Sequence, residues 1–356
     1  MSRPPNSLQC PICLHTVLWS AAPVVVLDAQ GEETPFVALP GENQEVLFNR
    51  LATAYRVCTG GGTRHYLPHD YGDYDERVVV GVIGQGAAGK SHLLAAMVGQ
   101  LMRRAAPLRD LGLLVEPLDL RIHQRYMSTV VEPFLGRRQR LRATPAQAIE
   151  FADALKVTNL RTGRRFALTF FDVAGEVLER VDPSVAFIGA VNALVFVIDP
   201  ETVPNLLRGR PETTGDAAFD VTLARISAIR NRRRLPYLPI PSVSVVAKAD
   251  LLRFRSAKVD HWLSRDAEAE EFDLSTVEDE SRDVYAYLFA RDAHRWLAPA
   301  ERCAWSTLHF ASAAGTSPEG AEFPAVAFRQ RRVLKPLLSL LAMKGVLTPT
   351  PVGGWV

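Results

Sequence analysis

Gly84-Gln-Gly-Ala-Ala-Gly89-Lys90-Ser91 has the spacing G-x-x-x-x-G-K-[ST]. It follows a β-branched run at 77–83 and opens a stretch at 91–104 in which Leu93, Leu94, Met97, Val98 and Leu101 recur at helical intervals. Strand, turn and helix are the context in which such a loop grips phosphate. Glycines let successive backbone N–H groups curl into an anion nest, and the helix N-terminus adds a favourable dipole. Gly84, Gly86, Ala87, Ala88, Gly89 and the first helical residues through His92 would wrap the phosphates. Lys90 would reach the β- and γ-phosphates, and the Ser91 hydroxyl would bind Mg²⁺.

A second pattern, Phe171-Asp172-Val-Ala-Gly175-Glu176, ends an apolar strand at 166–171. An Asp at a strand end can organise a Mg²⁺ shell, and a following glycine frees a backbone N–H for a γ-phosphate. A third, Val245-Val246-Ala247-Lys248-Ala249-Asp250, again closes an apolar strand. Asp250 can accept both the ring N–H and the exocyclic amine of guanine, a charge-assisted pair that adenine does not offer. The Lys248 stem would lie along the base. A fourth, weaker pattern is Ala311-Ser312-Ala313-Ala314, where a backbone N–H of Ser312 or Ala313 could meet the guanine oxygen.

In this order and in these strand contexts the four motifs resemble the Ras-like GTPases of the translation-factor class, over roughly residues 77–345. The resemblance implies an open α/β sheet with nucleotide at the strand C-termini, GTP or GDP and Mg²⁺ as ligands, and switch segments released on hydrolysis. It also implies a switch threonine that ligates Mg²⁺, for which Thr144 is the choice by position, with Thr129 and Thr158 as alternatives. Lys90, Thr144 and Glu176 are then the catalytic candidates. Glu176 stands where many relatives carry a water-orienting Gln, and Ala247 stands where Asn or Thr usually ties the base loop to the phosphate loop. Arg142 is near enough to act as an arginine finger, although 137–142 reads equally as a solvated basic loop. Cys10-Pro-Ile-Cys13, His65-Tyr-Leu-Pro and Asp172-Val-Ala-Gly-Glu176 are further similar to the bacterial double-GTPase family, which is associated with multi-gene conflict systems.

Cys10 and Cys13 have zinc-knuckle spacing. Cys58 is the natural third ligand, and the fourth must be a histidine, with His65 ahead of His69 and His15. Cys303 is distant from these.

The elements that must position these groups form a P-loop α/β domain with a mostly parallel central sheet, preceded by a small loop-rich module. Strands are expected at 77–83, 166–171, 193–198, 242–246 and 308–311, with a hairpin over 156–171 and a closing helix at 333–343 whose start Pro336 shifts. The expected organisation is a cysteine module at 1–76, a nucleotide domain at 77–345 with insertions at about 105–150 and 251–302, and a tail at 346–356. In the module, 23–27 and 36–39 read as strands and no sustained helical period is evident. The 356 residues carry 41 Lys+Arg against 39 Asp+Glu. That balance argues against direct nucleic-acid binding through a bulk basic field. It conceals a basic run at 137–142 and an acidic run at 266–273. Four cysteines are too few for a disulfide framework, and no apolar run approaches the ~18–20 residues of a membrane span. A cytoplasmic GTP-hydrolysing switch with an unidentified protein partner is therefore expected. The alternatives are a nucleotide-gated scaffold with little turnover, or an ATPase using Asp199 and Glu201.

Overall fold

The run at 77–83 lies at the centre of the main sheet of the computed structural model, which describes residues 7–28, 31–62, 64–142, 149–174, 184–203, 205–207, 217–230, 235–265 and 271–347. The N-terminal part contains β1 (Ser7–Gln9), β2 (Thr16–Leu18), β3 (Val24–Leu27), β4 (Glu33–Pro35), α1 (Gln44–Ala52), β5 (Tyr55–Cys58) and β6 (His65–Pro68). Then come β7 (Glu76–Gly84), α2 (Lys90–Met102), α3 (Ala106–Asp110), β8 (Leu113–Pro117), α4 (Leu120–Tyr126), β9 (Ile149–Asn159), β10 (Arg165–Ala174), α5 (Ser184–Ala190), β11 (Ala193–Ile198) and α6 (Ala217–Arg230). The chain finishes with β12 (Ser242–Val246), α7 (Ala257–Ser264), α8 (Leu274–Phe289), α9 (Ala298–Arg302), β13 (Ser306–Phe310) and α10 (Leu334–Met343).

Seven strands pair in the order β13-β12-β11-β7-β10-β9-β8. β7, β10, β11, β12 and β13 are mutually parallel, and β9 runs antiparallel to both its neighbours. The fold is thus mixed α/β with a mostly parallel sheet. Side chains alternate across β7 as strand geometry requires. Val78, Val80 and Val82 pack with α2 and α10 on one face, whereas Val79 and Ile83 pack on the other with Phe187, Phe219 and Trp262. Cover on both faces is why these strands read as continuous apolar runs.

The hairpin, the four parallel strands and the closing helix form where the residue pattern places them. Pro336 sits in the first turn of α10, where a missing N–H costs nothing. Three features differ from expectation. α1 is a helix capped by Asn43, whose side chain accepts from the Val46 amide; Leu47, Arg50 and Leu51 are half-buried on one face and none of its residues is fully buried. The first module strand after β3 is β4, not 36–39. The last backbone hydrogen bond to β3 comes from the Phe36 amide to the Val24 carbonyl at 2.9 Å, and the Val37 carbonyl is taken by the Arg50 guanidinium. Parts of both stretches read as insertions belong to the core. β8 is an edge strand of the main sheet, and α8 lies in the crossover between the parallel neighbours β12 and β13, with Val284 and Leu288 buried. Residues 266–270 of the acidic run and 348–356 of the tail lie outside the described residues.

The cysteine module folds as the β1–β2 hairpin and an antiparallel sheet of order β4-β3-β5-β6. It packs on the main sheet through Trp19, Leu67, Tyr71 and Tyr74 against Leu118, Ala154 and Ala167.

Candidate functional site

β7 delivers the glycine-rich turn at its C-terminal end. A Cβ on Gly84 would lie 2.6 Å from the Val197 carbonyl oxygen of β11, so the strands approach closely enough there to demand glycine. Ala87 (φ 63°) and Gly89 (φ 92°) are left-handed. Such a handedness pattern curls successive N–H groups toward one point, and a left-handed alanine is a local strain of the kind found at binding loops. Lys90 is buried, and its ammonium folds back to donate to the carbonyls of Gly84 (2.9 Å) and Gln85 (2.8 Å).

β10 lies directly beside β7, with Asp172 in register with Val82. That pairing brings together residues 81 apart: Ser91 Oγ donates to Asp172 Oδ2 at 2.6 Å. A hydroxyl and a carboxylate at a helix N-terminus are the hard oxygen donors that Mg²⁺ prefers.

The base-side motifs arrive on β12 and β13. Ser312 Oγ donates to Asp250 Oδ1, and Ser312 Oγ also accepts from the Gly315 amide at 2.8 Å. Burial pushes the Asp250 carboxyl upward, opposed by the Ser312 hydrogen bond. Lys248 is left-handed (φ 47°), and its ammonium pairs with Asp199 Oδ2 at 2.7 Å and Glu201 Oε2 at 2.9 Å.

Apart from Asp172, which lines an adjoining cavity together with Ser91, these groups share one cavity of about 790 Å³. Gly86, Ala87, Ala88, Gly89, Lys90, Ser91 and His92 line one end, and Lys248, Asp250, Ser312 and Ala313 the other. Gly84 is behind the lining, in the strand. The His92 side chain turns from the loop: Nε2 accepts from the Leu141 amide at 3.0 Å, and the ring meets Phe134 and Phe323 edge-on. Burial lowers the imidazole to about 4, which keeps it a neutral acceptor. Thr144, Gly175 and Glu176 lie outside the described residues. Of the alternatives to Thr144, Thr129 donates to the Arg125 carbonyl at 2.7 Å. Thr158 pairs with Arg165 at the far end of β10 from Asp172.

Sequence reasoning missed two contributors to this cavity. Asp199 and Glu201 entered only as an ATPase's acidic strand end, yet they hold Lys248. Arg140, Leu141, Ala321 and Phe323 form a rim: Arg140 N donates to Ala321 O, and Phe323 N to Arg138 O, both at 2.8 Å. The basic run at 137–142 was the visible signal of the rim's first half.

In the N-terminal module, ligand atoms of Cys10, Cys13, Cys58 and His65 all lie within 4.8 Å of one another. Cys10 Sγ is 3.8 Å from His65 Nδ1, and Cys13 Sγ is 3.6 Å from Cys58 Sγ. A tetrahedral zinc with ordinary bond lengths would set S···N near ~3.6 Å and S···S near ~3.8 Å, so this donor set fits the ion. The knuckle turn has left-handed Leu14 (φ 62°), whose amide donates to the Cys10 carbonyl, and the Gly60 amide donates to Cys58 Sγ at 3.4 Å. The hydrogen bond with Cys10 draws the Cys13 thiol down to about 4 while the Cys10 thiol moves up. His69 faces Arg56, and exposed His15 faces the Cys13 carbonyl, which leaves His65 as the fourth donor.

No helix among the described residues is long and apolar enough to cross a membrane. No protein-family model and no curated protein matches the chain. Among solved structures it is similar to the S. cerevisiae Ski7 GTPase-like domain bound to GTP, with TM-score 0.37 and 13% identity over 78% of this chain and 52% of that one. The same domain bound to GDP and inorganic phosphate gives TM-score 0.37 and 14% identity over 76% and 50%. The chain thus spans about half the length of these structures, and what its site can do is taken from the site's own geometry.

Proposed function

We propose that this chain binds guanine nucleotide with Mg²⁺ and hydrolyses GTP to GDP and phosphate as a conformational switch. The observation that carries the reading is one cavity lined by the Lys90 loop with Ser91 and by Lys248, Asp250 and Ser312, with Asp172 hydrogen-bonded to Ser91 from the adjoining cavity. Phosphates would lie on the loop amides and Lys90, and guanine on Asp250 with the Lys248 stem along its face. Ser91 would ligate Mg²⁺ and Asp172 organise its shell; the ion would neutralise charge on the β- and γ-phosphates. Thr144 as a further Mg²⁺ ligand, Gly175 at the γ-phosphate and Glu176 beside the attacking water complete the proposal from their places in sequence. The Cys10–Cys13–Cys58–His65 cluster is proposed to hold a structural zinc, which would tie the β1–β2 hairpin to β5 and β6 within the module.

An adenine-nucleotide reading is disfavoured because Asp250 offers two acceptors where adenine lacks the matching pair of donors. Competition of labelled GTP by GDP and by ATP in the presence of Mg²⁺ tests the base. GDP is expected to displace it and ATP to fail at a hundredfold excess; equal displacement by ATP would overturn the guanine assignment. Single-turnover phosphate release on the same preparation tests hydrolysis. Tight binding with release no faster than in solution would leave a nucleotide-gated scaffold.

A further inference from the structure

Lys248 touches three elements of the site. Its backbone takes the left-handed conformation (φ 47°) two residues before Asp250. Its stem passes over the phosphate loop, where a Cβ on Gly89 would come within 3.9 Å of Lys248 Cε. Its ammonium ends between Asp199 and Glu201, just beyond β11. The receiving turn is itself built. Asp199 is 5% exposed. Its Oδ1 accepts from the Glu201 amide at 2.9 Å, and its carbonyl accepts from both the amide and the hydroxyl of Thr202 at 3.0 Å. The adjoining strands are tied by Ala247 N donating to the Ile198 carbonyl at 2.9 Å.

A lysine at this position could swing toward bound phosphate or solvent. Two carboxylates at hydrogen-bond distance hold it instead, through charge-assisted bonds whose acceptor is fixed in advance. A non-glycine residue in the left-handed region persists when its surroundings hold it there. In this loop the side chain of Ala247 cannot make a tethering hydrogen bond, whereas Lys248 can.

We propose that Asp199 and Glu201 are positioning residues of the guanine site. They latch Lys248 across the phosphate loop, and through its backbone they fix the direction in which Asp250 presents its carboxylate. The inference rests on the guanine-nucleotide reading and adds to it the residues that set base affinity. Its consequence is selective. Loss of the latch weakens contacts to the base and leaves the phosphate grip intact, because the loop amides, Lys90 and Ser91 are not part of it. Removal of negative charge beside the cavity would, if anything, favour phosphate.

The test compares two probes, Mg·GTP and Mg·tripolyphosphate, by calorimetry on the full chain. The double variant Asp199→Asn/Glu201→Gln is expected to bind GTP roughly tenfold or more weakly, the size of a lost charge-assisted contact, with tripolyphosphate binding unchanged or tighter. Lys248→Met is expected to reproduce that loss, and all three changes together to cost no more than either alone. Glu201→Asp, which keeps the charge, is expected to retain most of the affinity. Equal weakening of both probes would mean a general structural role and overturn the latch, as would unchanged GTP affinity or additive losses. Failure of the wild-type chain to bind GTP while it binds tripolyphosphate would instead overturn the guanine reading, and the latch with it.

Discussion

Glu280 on α8 is completely buried and carries a charge that the fold must satisfy. Its Oε2 accepts from Arg332 Nη2 and faces His309 Nδ1, each at 2.7 Å, and its Oε1 accepts from Arg332 Nε (3.2 Å) and the Phe310 amide (3.1 Å). The triad locks α8 and Arg332 to β13 one step before the base loop. Arg331, the next residue, pairs backbone to backbone with Ser312 at 2.8 and 3.0 Å. Glu280→Gln keeps the shape and removes the charge, which leaves the Arg332 guanidinium buried without its carboxylate. Breaking such a pair costs about 3–5 kcal/mol. Burial pushes Glu280 up, but His309 and Arg332 outweigh it and hold the carboxyl at about 2 against an ordinary 4.5. That depression corresponds to on the order of 3 kcal/mol. Because the folded-state value is the lower one, the contribution is fully present above pH 4.5 and is lost as pH falls toward 2. Urea unfolding should therefore show Glu280→Gln about 3–5 kcal/mol less stable at pH 7, with the gap to wild type closing below pH 4.5. The control is Glu278→Gln, whose exposed pairing with Arg282 should matter by less than ~1 kcal/mol. A Glu280→Gln variant that tracks this control, or a gap that does not narrow in acid, would refute the reasoning.

Two further perturbations address the phosphate loop and the module. Gly84→Ala would drive a Cβ to 2.6 Å from the Val197 carbonyl. Neither backbone can rotate away, so a loss of about 1–3 kcal/mol in thermal unfolding and at least tenfold in Mg·GTP affinity is expected. Gly163→Ala, left-handed (φ 72°) with open space around it, should cost only about 1 kcal/mol and leave binding unchanged; equal affinity loss in both would remove the strand-contact explanation. Metal analysis of the purified chain should find about one zinc, reduced to near zero by Cys13→Ser or His65→Ala and retained in His69→Ala. Zinc retained in His65→Ala would exclude the four-donor site drawn from the cluster.

The main sheet was legible because both faces of its strands are buried, which writes a β-branched run into β7, a continuous apolar run into β11 and a Val-rich run with small serines into β12. The donor set Cys10–Cys13–Cys58–His65 was legible for a different reason: a metal site must spend specific side chains. α1 was not legible, since at nine residues its half-buried Leu47 and Leu51 are too few to write a sustained apolar period. α8 falls in the charged stretch expected as an insertion at about 251–302, and its Glu280 gives no sign of burial until Arg332 and His309, 52 and 29 residues away, are brought to it. Asp199 and Glu201 were ambiguous on similar grounds. An acid at a strand end is visible in sequence, but whether it faces a metal or a lysine depends on which strand lies beside it, and β12 brings Lys248.

The same geometry bears on how the two ends of the cavity communicate. His92 follows Ser91 directly and is fixed to the rim by accepting the Leu141 amide. The rim is in turn stitched to 321–323 by Arg140 N to Ala321 O and Phe323 N to Arg138 O. That second segment continues from the Ser312 loop, whose hydroxyl holds Asp250. Phe134 packs edge-on against Phe323 and Phe328, which are tilted to each other, with centroids 5.4 to 5.8 Å apart, so the rim rests on a close-packed base. A displacement of the first turn of α2 would thus be carried through one imidazole and two backbone hydrogen bonds to the loop beside the base pocket. Disruption confined to His92 should uncouple base-side from phosphate-side binding without removing a ligand from either.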